Sequence, residues 1–316
     1  MLSALDQSIL AALVYFNLFD YPLTLLELRR YLLFADQNGG DANYSLGQID
    51  QAWRSSARLR SLVCFQKGFF YLRGRAEIID IRAARFFIAR RKYKRAQKIT
   101  RWLSSLPFVR LVAVCNSLAY SQARDQSDID LFIITKPGGV WWARFFCALF
   151  LALLRLRPRP GDTSDKICLS FFVDSQHWQL ETLKLGTHDI YLPLWLATLY
   201  PLYDAGGCYQ RFWETNSWMR LYLPGAVPVR PHPARLKQPA HVGRYWRYSV
   251  EWFCQPFTFL IVALQRYFFS PDIKALANLD TRVRIADGML KLHTNDRRKI
   301  YARRFFAKLE LLQRAN

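Results

Sequence analysis

Apolar residues recur along this chain in two different periods. Near the start the spacing is helical. Ile9, Leu13, Val14 and Phe16 predict a first helix, and residues 25–33 predict a second. Thr24 followed by Glu27 makes a capping box at the start of that second helix. A polar loop over 36–44 precedes a third helix over 45–59. The run SLVCFQKGFFYLRGR then shifts to a strand-like pattern and predicts a hairpin turning at Lys67-Gly68. Residues 78–103 read as one long helix with Phe86, Phe87, Tyr93, Ile99 and Trp102 interleaved among charges. Three β-prone runs follow, over 109–115, 128–135 and 166–173. Pro137-Gly138-Gly139 ends the second run and launches a helix over 140–156. Helical patterns return over 189–203, over 210–221 and from 242 to the end.

These elements predict an α/β (α+β) chain in four parts. Residues 1–75 form a helical unit with a hairpin, and 76–106 a basic linking helix. Residues 107–224 form a domain around a mixed sheet with flanking helices. Residues 225–316 form a proline-rich linker, marked by Pro228, Pro231, Pro233 and Pro239, and a C-terminal helical lobe.

Composition narrows the class. The chain has 316 residues, 52% of them hydrophobic and 16% aromatic, which excludes a disordered protein. Its 45 basic and 24 acidic residues give a net charge of +21, a field that attracts RNA, DNA, nucleotides or anionic lipid surfaces. The six cysteines are scattered with no C-x-x-C pair, and the five histidines are dispersed. This predicts reduced thiols in a cytoplasmic protein and no zinc site. The start, MLSALDQS, lacks a basic leader region. The apolar runs 145–154 and 257–264 fall short of the roughly 20 residues that span a bilayer, so no transmembrane segment is expected. The first reads as a helix packed on the sheet. Its basic flanks and Trp141-Trp142 leave a peripheral membrane contact open.

The chemistry concentrates in residues 116–135, NSLAYSQARDQSDIDLFIIT. Ser117 is followed by ten residues and then by Asp128-Ile129-Asp130. Alternation along a strand puts both acids on one face. Two carboxylates so close repel each other unless a cation lies between them, which suits Mg²⁺ holding a nucleoside triphosphate. This stretch resembles the G-S-x10-D-x-D motif of the polymerase-β-like nucleotidyltransferase superfamily, in particular its minimal and aminoglycoside-type branches. Spacing and the SDIDL segment fit, while Asn116 stands in the place of the usual glycine. Asn is the next most tolerant residue for a left-handed backbone.

The resemblance implies a nucleotidyltransferase-fold sheet, with Asp128 and Asp130 as metal ligands for Mg²⁺ (or Mn²⁺). It implies that Asn116 and Ser117 hold the phosphates of an NTP, with Lys136 beyond the strand as a further phosphate contact. The reaction would move an NMP to a hydroxyl on RNA, protein or a small molecule and release pyrophosphate. The family places a third carboxylate on the next strand as proton acceptor. Here that strand reads KICLSFFVDS, with Ser170 at the polar position. Asp174 shares its face but lies about 13 Å further along a strand. Ser170 is therefore expected to mark the acceptor side. The missing acid leaves a second reading open, a catalytically degenerate nucleotide sensor that binds nucleic acid.

The three helices and hairpin of residues 1–75 resemble a winged helix-turn-helix domain. In that reading Gln48, Gln51, Arg54, Arg58 and Arg60 face a DNA groove. Such units serve equally to pack against protein, and Asp50 on the same helix opposes phosphate. On the linking helix, Arg85, Arg91, Lys92, Lys94 and Arg95 are candidate contacts to RNA or DNA, with a solvated helix face as the alternative. The polar segment 290–298, LKLHTNDRR, suits either a site-facing turn or a helix-terminal charge cluster, and the second is preferred.

Overall fold

The computed structural model describes residues 2–34, 44–159, 161–237 and 243–314. The expected loop at 36–43 and the end of the linker, 238–242, lie outside the described residues.

The N-terminal unit consists of α1 (Ala4–Asn17), α2 (Leu25–Arg30), α3 (Leu46–Ser55), α4 (Ala57–Leu62) and a hairpin of β1 (Val63–Gln66) and β2 (Phe69–Leu72). The capping box at Thr24 forms as expected, with Glu27 Oε2 accepting from the Thr24 amide at 2.9 Å. The hairpin turns at Lys67-Gly68, both left-handed. The expected third helix is broken. Ser56 leaves helical geometry and caps α4 through the Leu59 amide, so Arg54 and Arg58 stand on separate helices.

The long helix α5 (Ile78–Leu103) leads into the sheet domain. This contains β3 (Val109–Val114), the short α6 (Asn116–Ala119), β4 (Ile129–Thr135), α7 (Val140–Leu153), β5 (Ile167–Asp174), α8 (Tyr191–Thr198), β6 (Tyr200–Asp204) and α9 (Cys208–Thr215). Next come α10 (Gly243–Cys254), α11 (Thr258–Tyr267), α12 (Pro271–Leu276), β7 (Val283–Ala286), β8 (Met289–Leu292) and α13 (Arg298–Arg314). The fold is mixed α/β around a six-stranded sheet of order β6-β3-β4-β5-β8-β7. The pairing β4–β5 is parallel and the others are antiparallel.

Three sheet strands differ from the sequence expectation. Residues 200–204 form β6 and do not prolong the preceding helix. Pro201 lacks the amide that a helix interior requires, and it is tolerated because β6 is an edge strand. The C-terminal lobe is not all helical, because β7 and β8 extend the sheet beside β5. Their two-residue loop, Asp287-Gly288, is a hairpin signal that helical periodicity masks. Gly288 is needed there for close packing, since a β-carbon would lie 1.9 Å from Nδ1 of His177.

The sheet is covered on both faces. Leu111, Ala113, Phe132, Ile134, Phe171 and Val173 face a core shared with α1, α8, α9 and Phe305. Val112, Val114, Leu131, Ile133 and Phe172 face a core shared with α5, α7 and Ile261 of α11. The first core runs unbroken from Ile9 and Phe16 to Phe132, so the hydrophobic interior does not divide at residue 75. Helix α1 is buried from Ser8 to Phe16, which explains its nearly continuous apolar sequence. No helix among the described residues is long and apolar enough to cross a membrane.

Candidate functional site

The chain leaves β3 at Cys115 and turns at Asn116, which takes a left-handed φ of 57°. A glycine or asparagine suits such a backbone, and the asparagine side chain adds contacts that glycine lacks. Its Oδ1 accepts from Trp195 Nε1 at 3.0 Å and from Tyr191 Oη at 3.3 Å. The turn is tied back by the Cys115 amide to the Asp130 carbonyl at 3.2 Å and by the Gln122 amide to the Ser117 carbonyl at 2.9 Å.

Asp128 stands just ahead of β4 and Asp130 within it, on the face that carries Phe132 and Ile134. Across the parallel pairing, Asp130 is in register with Cys168. Ligand atoms of Asp128, Asp130 and Cys168 all lie within 4.8 Å of one another, and the three residues are half-buried. Burial first, and then the Asp128 charge, push the Asp130 carboxyl up to about 6, while a hydrogen bond with Asn116 opposes this. Burial likewise raises Asp128, against a smaller pull from Lys92. Burial and the two acids raise the Cys168 thiol well above its ordinary range, so it stays protonated. Among the described residues neither acid has an ion-pair partner, although the chain carries 45 basic residues. A bound cation would relieve both the burial and the mutual repulsion. Two carboxylates are hard oxygen donors that suit Mg²⁺, whereas a thiol is a soft donor that suits Zn²⁺-like ions. Cys168 was not anticipated at this position. Only strand register brings it there.

Ser170 lies two residues past Cys168 at an irregularity of the β4–β5 pairing, where the register moves from Asp130–Cys168 to Phe132–Phe171. Its Oγ is 2.9 Å from Nε2 of His293, which arrives from the turn after β8. Burial first, and then the Lys291 charge, hold His293 down to about 3, so the ring is neutral. Asp174 is remote, as its offset implies. It is in register with Thr135 at the far end of β4, and it caps a loop by accepting from the Gln176, His177 and Gly138 amides.

A cleft of about 400 Å³ is lined by Asn116, Ser117, Ser127, Tyr191, Trp195 and Tyr301, with one wall from α1, and it meets the acid group through Asn116, which contacts Asp130, and Ser127, which precedes Asp128. Arg85, Arg124, Arg297 and Arg304 also line it. Arg85 is engaged by Asp20 at 3.0 Å, while exposed Arg297 and Arg304 have no ion-pair partner among the described residues. A smaller, largely apolar cavity of about 170 Å³ adjoins it between Phe171, Trp195, His293 and Tyr301. The turn 293–298 therefore lines the site, although its sequence was better matched to a helix-terminal charge cluster. It is both, because Asp296 accepts from the Arg298 amide at the start of α13. Buried Arg298 also holds Asp189 and the Leu183 carbonyl, each at 2.8 Å, which fixes the turn against the loop before α8.

Several expected contacts are not brought to this cleft. Lys136 lies past the opposite end of β4, 3.7 Å from Glu251. Lys92 is fully buried, and its ammonium donates to the Asp125 carbonyl, the Ser127 carbonyl and Asp165. It is a staple for the loop that delivers Asp128 and offers no surface for nucleic acid. Arg91 pairs with Asp125 and Asp165 beside it. Arg54 pairs with Asp50 along its own helix, and Arg58 donates to the Leu312 carbonyl of α13. Lys94 is exposed and Arg95 half-buried on α5. Comparison with protein-family models, with curated proteins and with solved structures finds no match to this chain.

Proposed function

We propose that the chain is a nucleotidyltransferase of the polymerase-β-like type, moving an NMP from an NTP to a hydroxyl acceptor. The observation that carries the reading is the half-buried pair Asp128 and Asp130, without an ion-pair partner among the described residues, beside the Ser117 turn and an arginine-lined cleft. The sheet pattern around that turn and the N-terminal helices with their hairpin support the finer reading of a nucleotidyltransferase fold carrying a winged-helix-like unit.

In this reading Asp128 and Asp130 hold Mg²⁺ (or Mn²⁺). When bound, the metal neutralises and orients the triphosphate. Ser117 and the turn amides hold its terminal phosphates, and Arg297 and Arg304 stand where that charge enters. The acceptor oxygen bonds to the α-phosphorus, the α–β phosphoanhydride breaks, pyrophosphate leaves and the acceptor proton passes to water. Ser170, held by neutral His293, orients the acceptor. Incubation with α-labelled NTP, Mg²⁺ and cellular RNA, protein or small-molecule extracts tests it. Label transfer that disappears in the Asp128→Asn/Asp130→Asn double variant is expected. Transfer that persists in the variant places the chemistry elsewhere.

One observation favours a second reading. Cys168 and Ser170 stand where the family's third carboxylate would be sought, and neither offers a strong proton acceptor. A degenerate nucleotide sensor would bind Mg²⁺–NTP in the same cleft and release no pyrophosphate.

A further inference from the structure

Helices α10 and α11 are apolar on both faces: Cys254 and Ile261 pack inward on the core, and a second set of large apolar side chains faces outward. An amphipathic helix on a globular surface buries its apolar stripe and exposes its polar one. Here α11 exposes Phe259, Leu260, Ala263, Leu264 and Tyr267, with Phe268 just beyond, spaced three and four residues apart. Its inward positions include Gln265, whose amide donates to the Trp141 carbonyl at 2.8 Å and accepts from Arg144. The end of α10 repeats the arrangement. Glu251 is 1% exposed and accepts from the Phe108 amide at 2.7 Å and from Arg110 at 2.8 Å. Its neighbour Trp252 is 79% exposed, with Tyr248 and Phe253 beside it. These polar anchors, with buried Cys254 and Ile261, fix the rotation of both helices with their aromatic faces outward.

Helix α7 packs on α11 through its first turn, where Trp142 Nε1 donates to Thr258 Oγ1 at 3.1 Å. Towards the end of α7 and just past it, Leu149, Leu153 and Leu154 are exposed. Exposed apolar side chains gathered on one helix face, as on α11, mark an interaction site.

Charge selects the occupant. Residues 136–161 contain five basic residues and no acid. From 248 to 272 the charged residues are Glu251, which is sequestered inside, exposed Arg266 and exposed Asp272. Exposed Arg155, Arg157, Arg159 and Arg266 accompany the apolar face. A second copy docking through the same patch would bring two positive rims together. An anionic bilayer meets every element: acyl chains for the Phe and Leu side chains, the headgroup layer for Trp252 and Tyr267, and lipid phosphate for the arginines.

We propose that the face formed by α10, α11 and the end of α7 docks on the surface of an anionic phospholipid bilayer, without crossing it. These helices cover the sheet face opposite the arginine-lined cleft, so docking leaves that cleft open. The inference is independent of the proposed transferase activity.

The test is cosedimentation of the full chain with vesicles of phosphatidylcholine, alone or mixed with phosphatidylglycerol, across a range of salt. Binding to the mixed vesicles and little to the neutral ones is expected. Trp252→Glu/Phe259→Glu should lower the partition coefficient by on the order of tenfold or more, and Arg155→Gln/Arg157→Gln by a similar factor. The aromatic substitutions are at exposed positions, and circular dichroism checks that the fold is kept. Three outcomes would overturn the proposal. One is no binding to anionic vesicles. Another is unchanged binding by Trp252→Glu/Phe259→Glu, which would leave only the overall charge as cause. The last is a wild-type dimer in sedimentation velocity that this variant converts to monomer, which would make the face a contact between copies.

Discussion

Asp130 stands directly across from Cys168 in the parallel pairing of β4 and β5, and both lie within 4.8 Å of an Asp128 ligand atom. A thiol in this position puts sulfur where a third carboxylate could stand, and burial first, then the charge of the two acids, hold its proton. Asp130 in turn contacts Asn116, which reaches the aromatic wall through Trp195 and Tyr191. The acid pair, the left-handed turn and the cleft wall are therefore mechanically joined, and changes at one are expected to be felt at the others.

The raised Asp130 carboxyl makes a pH prediction. Its folded value, about 6, exceeds the ordinary carboxylate value, so the folded state binds the proton more tightly than the unfolded state. Metal-free protein should be more stable below the ordinary carboxylate range and lose on the order of 2 kcal/mol as pH rises through it to about 6. Asp130→Asn should flatten that slope. Melting temperature against pH, with and without Mg²⁺, reads it, and a wild-type slope identical to that of the variant would refute the assignment.

Cys168 and Ser170 are distinguishable by metal linkage. Cys168→Asp adds a third carboxylate opposite Asp130, so it should lower the melting temperature without Mg²⁺ and recover with it. Ser170→Asp should show a smaller Mg²⁺ response, because its carboxylate would meet His293 first. Cys168→Ser should weaken Cd²⁺ binding in calorimetry while leaving Mg²⁺ binding unaltered, since only the soft donor is lost. Equal Mg²⁺ responses in the two Asp variants would place the metal midway along β5, away from the Asp130–Cys168 pair.

Lys92→Met removes a buried ammonium that has three acceptors. Two carbonyls and Asp165 each lose one donor, and Arg91 remains on Asp165, so a loss of about 2–4 kcal/mol in denaturant unfolding is expected. Any affinity for duplex RNA or DNA measured on the folded variant should keep the wild-type salt slope. A slope lower by about one phosphate contact would return Lys92 to the surface.

Arg297→Ala/Arg304→Ala should weaken Mg²⁺–NTP binding roughly tenfold or more while leaving the melting temperature close to wild type. Both side chains are exposed and have no ion-pair partner among the described residues, so little native structure depends on them. Unchanged affinity in calorimetry would mean that the triphosphate enters by another side of the cleft.

Local pattern carried a large share of this structure. The capping box at Thr24, the hairpin at Lys67-Gly68, the bounds of α5 at 78 and 103, and the strands that carry Val109 and Asp130 all follow from residues a few positions apart. The Ser117 turn and the acid pair were legible for the same reason, as their spacing lies within one strand–turn–strand unit. What escaped the sequence depends on pairings between distant segments. The hairpin of β7 and β8 joins the sheet by lying beside β5, more than a hundred residues earlier, and His293 reaches Ser170 only through it. Cys168 became a neighbour of the acids by strand register. Lys92 changed from a basic-face residue to a buried staple because Asp165 and two loop carbonyls close over it. The outward stripe of α11 has the same amphipathic periodicity whichever way it faces. The burial of Ile261 and the partners of Gln265 determine its direction, and those partners belong to other elements of the fold.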